Sequence, residues 1–246
     1  MSSAINKYEH PFVTVDAVVL RYEAPRLMVL LTKRPDDAEV MGGRWALPGG
    51  FVNIDETLED AMRRKVAEKT SFKATQDADV MYAEQLKTYD AMGRDPRGRV
   101  VSVAYIGLSN ANSLSSYSGW FILDMVGRRC VGWTKYGARL PKDEFDEDAE
   151  FIAFDELAFD HGSIIEDAIA RLAGKIWYTD ILSHLLPKEY TIVSAEVLCA
   201  LIEGHPTSGF YQKMLRRCDE TGQFADPTKE YPFSNGKPVK LYTWKG

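Results

Sequence analysis

The sequence predicts a mixed α/β domain followed by a small winged helix-turn-helix module. Val- and Leu-rich runs separated by turn residues fill the first 110 positions, and one amphipathic helix follows directly on a glycine-rich loop. The last sixty residues then change character, giving two short helix patterns and a hairpin pattern in close succession. At 246 residues and 45% hydrophobic, the chain can hold a domain of roughly 150–180 residues plus a small one. The boundaries are expected at 8–175 for the large domain, 176–186 for a connecting helix or linker, and 187–246 for the small module.

Segments 12–21 and 27–32 are strands joined by the turn at Glu23-Ala-Pro-Arg26. The glycine-rich stretch 41–50 leads into a helix over 57–69, in which Leu58, Ala61, Met62 and Val66 fall on one buried stripe. Segments 80–89 and 99–109 are further strands flanking a Pro/Gly loop at 93–98, and 109–118 is a surface loop. The Trp- and Gly-rich stretch that follows, to about 145, shows no clear pattern. An amphipathic helix begins near 159 with Asp160 or Ser163 as its cap, and His161 is expected to be structural. Thr191 caps a helix that ends at Gly204, and a second helix runs from 209 to about 219. Its buried stripe is expected to be Tyr211, Met214, Leu215 and Cys218, leaving Gln212, Lys213, Arg216 and Arg217 on the opposite face. A hairpin turning at 234–236 carries Lys237 and Lys240.

Composition narrows the function classes. No run approaches the ~18 apolar residues of a membrane span, and the N-terminus lacks a signal-peptide core. The three cysteines, Cys130, Cys199 and Cys218, are widely spaced, which fits reduced thiols in a cytoplasm better than disulfides or a zinc site. The formal charge is −6, which argues against indiscriminate nucleic-acid binding, yet residues 187–246 hold eight Lys and Arg against seven Asp and Glu.

Residues 50–69 carry the chemistry. Gly50, Glu56, Arg64 and Glu68 stand at the spacing of the pattern G-x5-E-x7-R-E-U-x-E-E-x-G-U, the Nudix box, but two of its glutamate positions are Lys65 and Lys69, and its last glycine is Ser71. Positions 65, 68 and 69 are neighbours on one helix face. Three carboxylates there would hold Mg2+; Lys, Glu and Lys move the local charge from about −3 to +1, and each like-charge contact with a divalent ion costs several kcal/mol. Two ammonium groups can instead neutralise a diphosphate without a metal.

The chain resembles the Nudix-related transcriptional regulators of bacterial NAD metabolism and their sugar-responsive relatives. The resemblance rests on Trp45-Ala-Leu-Pro-Gly-Gly-Phe-Val52, the altered box, the segment Gly93–Tyr105, Leu157-Ala-Phe-Asp-His161 and the tail ending Leu241-Tyr242. It departs from the family over 109–145 and in having Gly-Phe-Tyr-Gln at 209–212. The resemblance implies a Nudix-like α/β/α sandwich that senses ADP-ribose or a related nucleotide or sugar phosphate and controls a winged helix on double-stranded DNA. It implies a ligand site lined by Arg34, Arg44, Gly49, Gly50, Lys65, Glu68 and Lys69, with Arg94 and Arg97 from the loop, and no cofactor. Arg44, Lys65 and Lys69 are the first choices among these. Arginines suit phosphate through their planar fork of donors; alternatively Arg34 and Arg97 pair with surface carboxylates, and Arg64 with Glu56 or Glu68. DNA contacts are expected from Gln212, Lys213, Arg216, Arg217, Lys237 and Lys240, in a homodimer whose apolar interface includes 176–186. The competing functions are a Nudix hydrolase using Mg2+ on Glu56 and Glu68 with a further carboxylate such as Glu84 or Asp95, and a nucleotide-binding adaptor whose tail contacts only proteins.

Overall fold

The computed structural model describes residues 8–70, 81–109, 119–133, 149–221, 229–232 and 238–243. Within these, the central strand β1 (Phe12–Glu23) explains the architecture. It is buried almost continuously, as a strand covered on both faces must be. Its alternate side chains divide between two cores. Val15, Ala17 and Val19 pack with Ala61, Met62 and Val66 of helix α1 (Leu58–Lys69). Val18, Leu20 and Tyr22 pack on the other side, with Ile165, Ile169 and Leu172 of helix α2 (His161–Lys175). The result is a three-layer α/β/α sandwich.

Seven strands lie in the order β10-β9-β8-β2-β1-β7-β6, with β5 (Gly49–Phe51) pairing antiparallel to β1. The expected hairpin is β1 with β2 (Arg26–Leu30), and β1 runs parallel to β7 (Val100–Ser109), whose other neighbour is β6 (Tyr82–Tyr89). A two-stranded piece, β3 (Thr32–Lys33) with β4 (Trp45–Ala46), precedes β5. The stretch that shows no pattern in sequence extends the sheet with a hairpin of β8 (Trp120–Asp124) and β9 (Arg129–Trp133), and β10 (Ala149–Ala153), just beyond it, adds the edge. Of the loop expected at 109–118, Ser109 is the last residue of β7, and 110–118 with the N-terminal seven residues lie outside the described residues.

The C-terminal module follows its expected outline. Helix α3 (Ile192–Glu203) is capped by Thr191, whose Oγ1 accepts from the Ser194 N–H at 3.0 Å, and ends on Gly204 at φ 77°. Helix α4 (Phe210–Thr221) follows after a short turn, and β12 (Lys229–Pro232) pairs with β13 (Pro238–Thr243) as the wing. The short strand β11 (Glu189–Tyr190) joins the wing through β13. The hairpin turn, with Lys237, and the side chains of Leu215, Arg217 and Cys218 lie outside the described residues.

Two expectations change. Tyr211 is 48% exposed, while Phe210 is buried with Met214. The inward aromatic is Phe210 rather than Tyr211, its ring docked edge-on to Trp177 at 6.0 Å between centroids, while Met214 is buried as expected. Most of the apolar side chains of 176–186, expected to offer a surface to a second copy, are spent inside the chain, while Tyr178 stays 70% exposed. Ile176, Ile181, Leu182, Leu185 and Leu186 are all buried in the core that joins α2 to α3 and α4.

Candidate ligand cleft and DNA-binding face

A cleft of about 420 Å³ opens where β1, β3 and β5 meet the second half of α1 and the 94–97 loop. Its floor is narrow for a backbone reason. A Cβ at Gly49 would lie 2.2 Å from Asp16 Oδ1 and 2.5 Å from the Val15 carbonyl, so only glycine lets β5 approach β1 this closely. The stem of Lys65 lies across Gly50, its Cε 3.0 Å from where a Cβ would stand.

Under the floor is a buried polar cluster. Leu47 N–H donates to His161 Nδ1 at 2.9 Å, which leaves the imidazole proton on Nε2, 3.5 Å from Asp16 Oδ1. The Ser102 hydroxyl donates to the other Asp16 oxygen. Burial pushes the Asp16 carboxyl up, but His161, Ser102 and the Arg94 guanidinium together hold it below its ordinary value. Asp160 stands at the cap position of α2, yet its carboxylate accepts two bonds from Arg94, at 2.9 and 2.6 Å, instead of capping the helix. The requirement of a buried guanidinium for partners on both sides outweighs the cap.

The walls are cationic and aromatic. Arg97 pairs with Asp95 at 2.7 Å and places its guanidinium between the rings of Phe51 and Phe159, 5.2 and 5.7 Å from their centroids. Arg34 lies 5.0 Å from the Phe159 centroid and donates to the Val40 carbonyl at 2.9 Å. Burial and the neighbouring Arg97 hold Arg34 below its usual pKa, the signature of positive charge crowded at one wall. On the opposite wall Lys65 pairs with Glu68 at 2.9 Å, while among the described residues no carboxylate pairs with Lys69. Phe159 has φ 56° and Met41, which accepts from its N–H, has φ 52°. Such a conformation in a bulky residue costs on the order of 1–3 kcal/mol.

Of the nine expected ligand residues, Arg34, Gly49, Gly50, Lys65, Lys69, Arg94 and Arg97 line the cleft. Arg44 is exposed in the turn before β4 and does not line it, and Glu68 is directed to Arg64 and Lys65. Arg94 is only 4% exposed and fully engaged by Asp16 and Asp160, so it braces the floor. Sequence reasoning missed Asp16, Phe51 and Phe159. Asp16 had a signal, a lone acid inside an apolar strand; the aromatic pair had none beyond proximity to Gly50 and His161.

On α4, Gln212, Lys213 and Arg216 are exposed opposite buried Phe210 and Met214, and Lys240 is exposed on β13. The Lys213 ammonium lies 5.0 Å from the Trp177 ring centroid, directed back toward the end of α2.

A NUDIX domain model matches residues 10–116. Over 160 residues the chain is 32% identical to an ADP-ribose pyrophosphatase of Methanocaldococcus jannaschii, covering 65% of this chain and 74% of that protein. The chain belongs to the Nudix family. Similarity also extends through the C-terminal module: it is 28% identical over 243 residues to the ADPR responsive transcriptional repressor NtrR of Acinetobacter baylyi, spanning 96% of this chain and 82% of the repressor. The crystal structure of Shewanella oneidensis NrtR complexed with a 27mer DNA matches with a TM-score of 0.64 and 29% identity over 95% of this chain and 93% of that one.

A Nudix box ordinarily implies a divalent cation held by its carboxylates, and here those carboxylates are engaged elsewhere. Arg64 Nε donates to Glu56 Oε2 at 2.8 Å and Arg64 Nη1 to Glu68 Oε1 at 2.9 Å, and Asn53 N–H occupies Glu56 Oε1 at 2.7 Å. The Arg64 hydrogen bonds, then Asn53, hold the Glu56 carboxyl down to about 2. Lysines stand at two further ligand positions, and among the described residues no three His, Cys, Asp or Glu side chains gather as metal ligands. Glu84, a candidate third carboxylate, is engaged by Lys175 and Tyr82, and Asp95 by Arg97. This donor set does not fit a divalent cation.

Proposed function

We propose that this chain is a ligand-responsive transcriptional repressor whose cleft binds ADP-ribose, or a closely related nucleoside diphosphate, without hydrolysing it. The observation that carries the reading is the pair Lys65 and Lys69 on the cleft wall of a Nudix fold, with full-length similarity to two regulators behind it. Ammonium groups neutralise a diphosphate but cannot present Mg2+ to it. Arg34 and Arg97, crowded on the opposite wall, supply donors for the remaining phosphate oxygens. The C-terminal module binds duplex DNA through α4 in the major groove, with Lys240 of the wing on phosphates. The protein acts as a cytoplasmic homodimer, because one winged helix makes few contacts and a two-fold dimer reads two half-sites. The regulated genes belong to NAD or sugar metabolism, a point that the neighbouring genes would decide.

Fluorescence anisotropy on duplexes from the region upstream of its own gene tests the reading. A salt-sensitive complex weakened by ADP-ribose is expected; absence of DNA binding with ligand binding intact would leave an adaptor. Light scattering on the free and DNA-bound protein should return a dimer, and a monomer in both would remove that part. The identity to an ADP-ribose pyrophosphatase, with Glu56 and Glu68 still present, favours a second reading as a hydrolase. Mg2+-stimulated turnover of ADP-ribose at about 1 s⁻¹ or faster would establish it in place of the first.

A further inference from the structure

One helix touches both the cleft and the helix-turn-helix, and the residue just ahead of its N-cap is strained. Phe159 adopts φ 56° and its N–H meets Met41, itself at φ 52°. A bulky residue stays at positive φ only where its surroundings overdetermine it. Here those surroundings are the cleft wall. Arg34 packs on the Phe159 ring and donates through Nε and Nη2 to Val40, the residue before Met41, at 3.2 and 2.9 Å; Arg97 packs on the same ring. Asp160, next in the chain, is clamped by Arg94.

Helix α2 then runs 15 residues, about 22 Å at 1.5 Å per residue. Its buried Ile164, Ile165, Ala168, Ile169 and Leu172 make it move as a body. At its far end the Trp177 indole N–H donates to the Glu203 carboxylate at 2.7 Å, and its ring meets Phe210 edge-on. Glu203 also accepts from the Thr207 hydroxyl. Glu203 closes α3 and Phe210 opens α4, so the turn between the two helices of the reading head is held by the end of α2.

Resting on the reading of the cleft as an effector site, we propose that Phe159 is the positioning residue at which occupancy is sensed and that α2 carries it to the helix-turn-helix. Phosphates draw Arg34 and Arg97 off the Phe159 ring. The held conformation is released, α2 shifts, and the Trp177–Glu203 clasp re-aims α4.

The test measures DNA affinity of the full chain with and without saturating ADP-ribose, alongside ADP-ribose affinity by calorimetry in EDTA. The unmodified protein is expected to lose about tenfold or more in DNA affinity when the ligand is bound. Phe159→Gly accepts φ 56° without strain. Because it also removes a ring from the cleft wall, its DNA response is read at ADP-ribose concentrations that saturate this variant, and should be less than about threefold. Trp177→Phe lies far from the cleft, keeps a ring against Phe210 and loses only the bond to Glu203. It should leave ligand affinity unchanged and cut the response by about threefold or more, and it decides the matter alone if Phe159→Gly does not fold. A full response in either folded variant overturns the proposal. An unmodified protein that binds both DNA and ligand but shows no response overturns the functional reading, and this inference with it.

Discussion

Reversing the charge on the cleft face of α1 gives the sharpest test of metal-free binding. The two lysines are not equivalent. Lys65 is committed to Glu68 at 2.9 Å, an exposed pair worth about 0–1 kcal/mol, and must leave or share that partner. Lys69 has no carboxylate partner among the described residues. A hydrogen bond to a charged group contributes about 1.5–3 kcal/mol, and solvent at this open wall reduces that to about 1–2 kcal/mol for each lysine. Lys69→Ala should therefore weaken ADP-ribose about 5- to 30-fold, and Lys65→Ala somewhat less. The double change Lys65→Glu with Lys69→Glu removes both attractions, about 2–4 kcal/mol together, and adds two weaker, solvent-screened repulsions of about 0.5 kcal/mol each. The expected loss is about 3–5 kcal/mol, or more than about 100-fold in EDTA. Because the reversed face would present three carboxylates, Mg2+ should recover part of the affinity, whereas the unmodified protein should gain nothing from it. Calorimetry in EDTA and then in Mg2+ reads both effects. An affinity in EDTA within about twofold of the original for the double variant would refute the reasoning, since opposite charges on the wall cannot bind one dianion equally.

Three other perturbations test separate parts of the structure. Gly162→Ala would place a Cβ 2.3 Å from the Phe154 carbonyl oxygen, so it should destabilise the fold by about 2–3 kcal/mol, lowering Tm by about 5–10 °C; a Tm within about 2 °C of the original would contradict that packing. Glu56 is lowered from 4.5 to about 2 in the folded state, so its contribution to stability is complete above pH 4.5 and is lost as pH falls toward 2. Glu56→Gln should flatten the stability profile across that window, and parallel denaturant midpoints for both proteins would count against the Arg64 network. On DNA, Lys240→Ala should weaken all sequences alike and reduce the salt slope by about 0.9 per protomer, whereas Gln212→Ala should cost roughly 1–3 kcal/mol at one base step with the slope unchanged. Unchanged operator affinity in both would remove α4 and the wing from the interface.

The sequence made the central strands, α1 and the caps of α3 legible because each rests on local chemistry: apolar runs bounded by turns, an i, i+3, i+4 stripe, a Thr ahead of a helix and a Gly behind it. The hairpin β8–β9 was not legible, because Arg, Gly and Asp are interspersed among its apolar residues and its pairing with β2 is non-local. On α4 the inward-facing aromatic was placed one position late for a similar reason, though Met214 was placed correctly. Tyr211 and Phe210 are both aromatic, and only the distant Trp177 determines which one turns inward. At the site, the anionic or cationic character of each position could be read, but the partners could not. Arg94 and Arg97 look alike in the loop; contacts 66 residues away make Arg94 a buried brace, while Arg97 pairs locally and remains at the cleft wall.

The geometry also explains why the altered box still folds like an intact one. Glu56, Arg64 and Glu68 form a closed network with Asn53 N–H that holds the loop after β5 against α1. Arg64 reaches the Phe51 carbonyl as well, so the same guanidinium positions the strand that forms the cleft floor. None of these bonds needs a metal. Lys65 and Lys69 line the cleft, whereas Glu56 and Arg64 do not. The box thus separates into a scaffold that shapes the cleft and a face that sets its charge. On the proposed reading, changing only the face would turn a cation site into an anion site at little structural cost, because lysine on a helix is as good a helix former as the glutamate of the family pattern. Under that reading the fold could lose metal chemistry while keeping the cleft and the helix that leads from it to the C-terminal module.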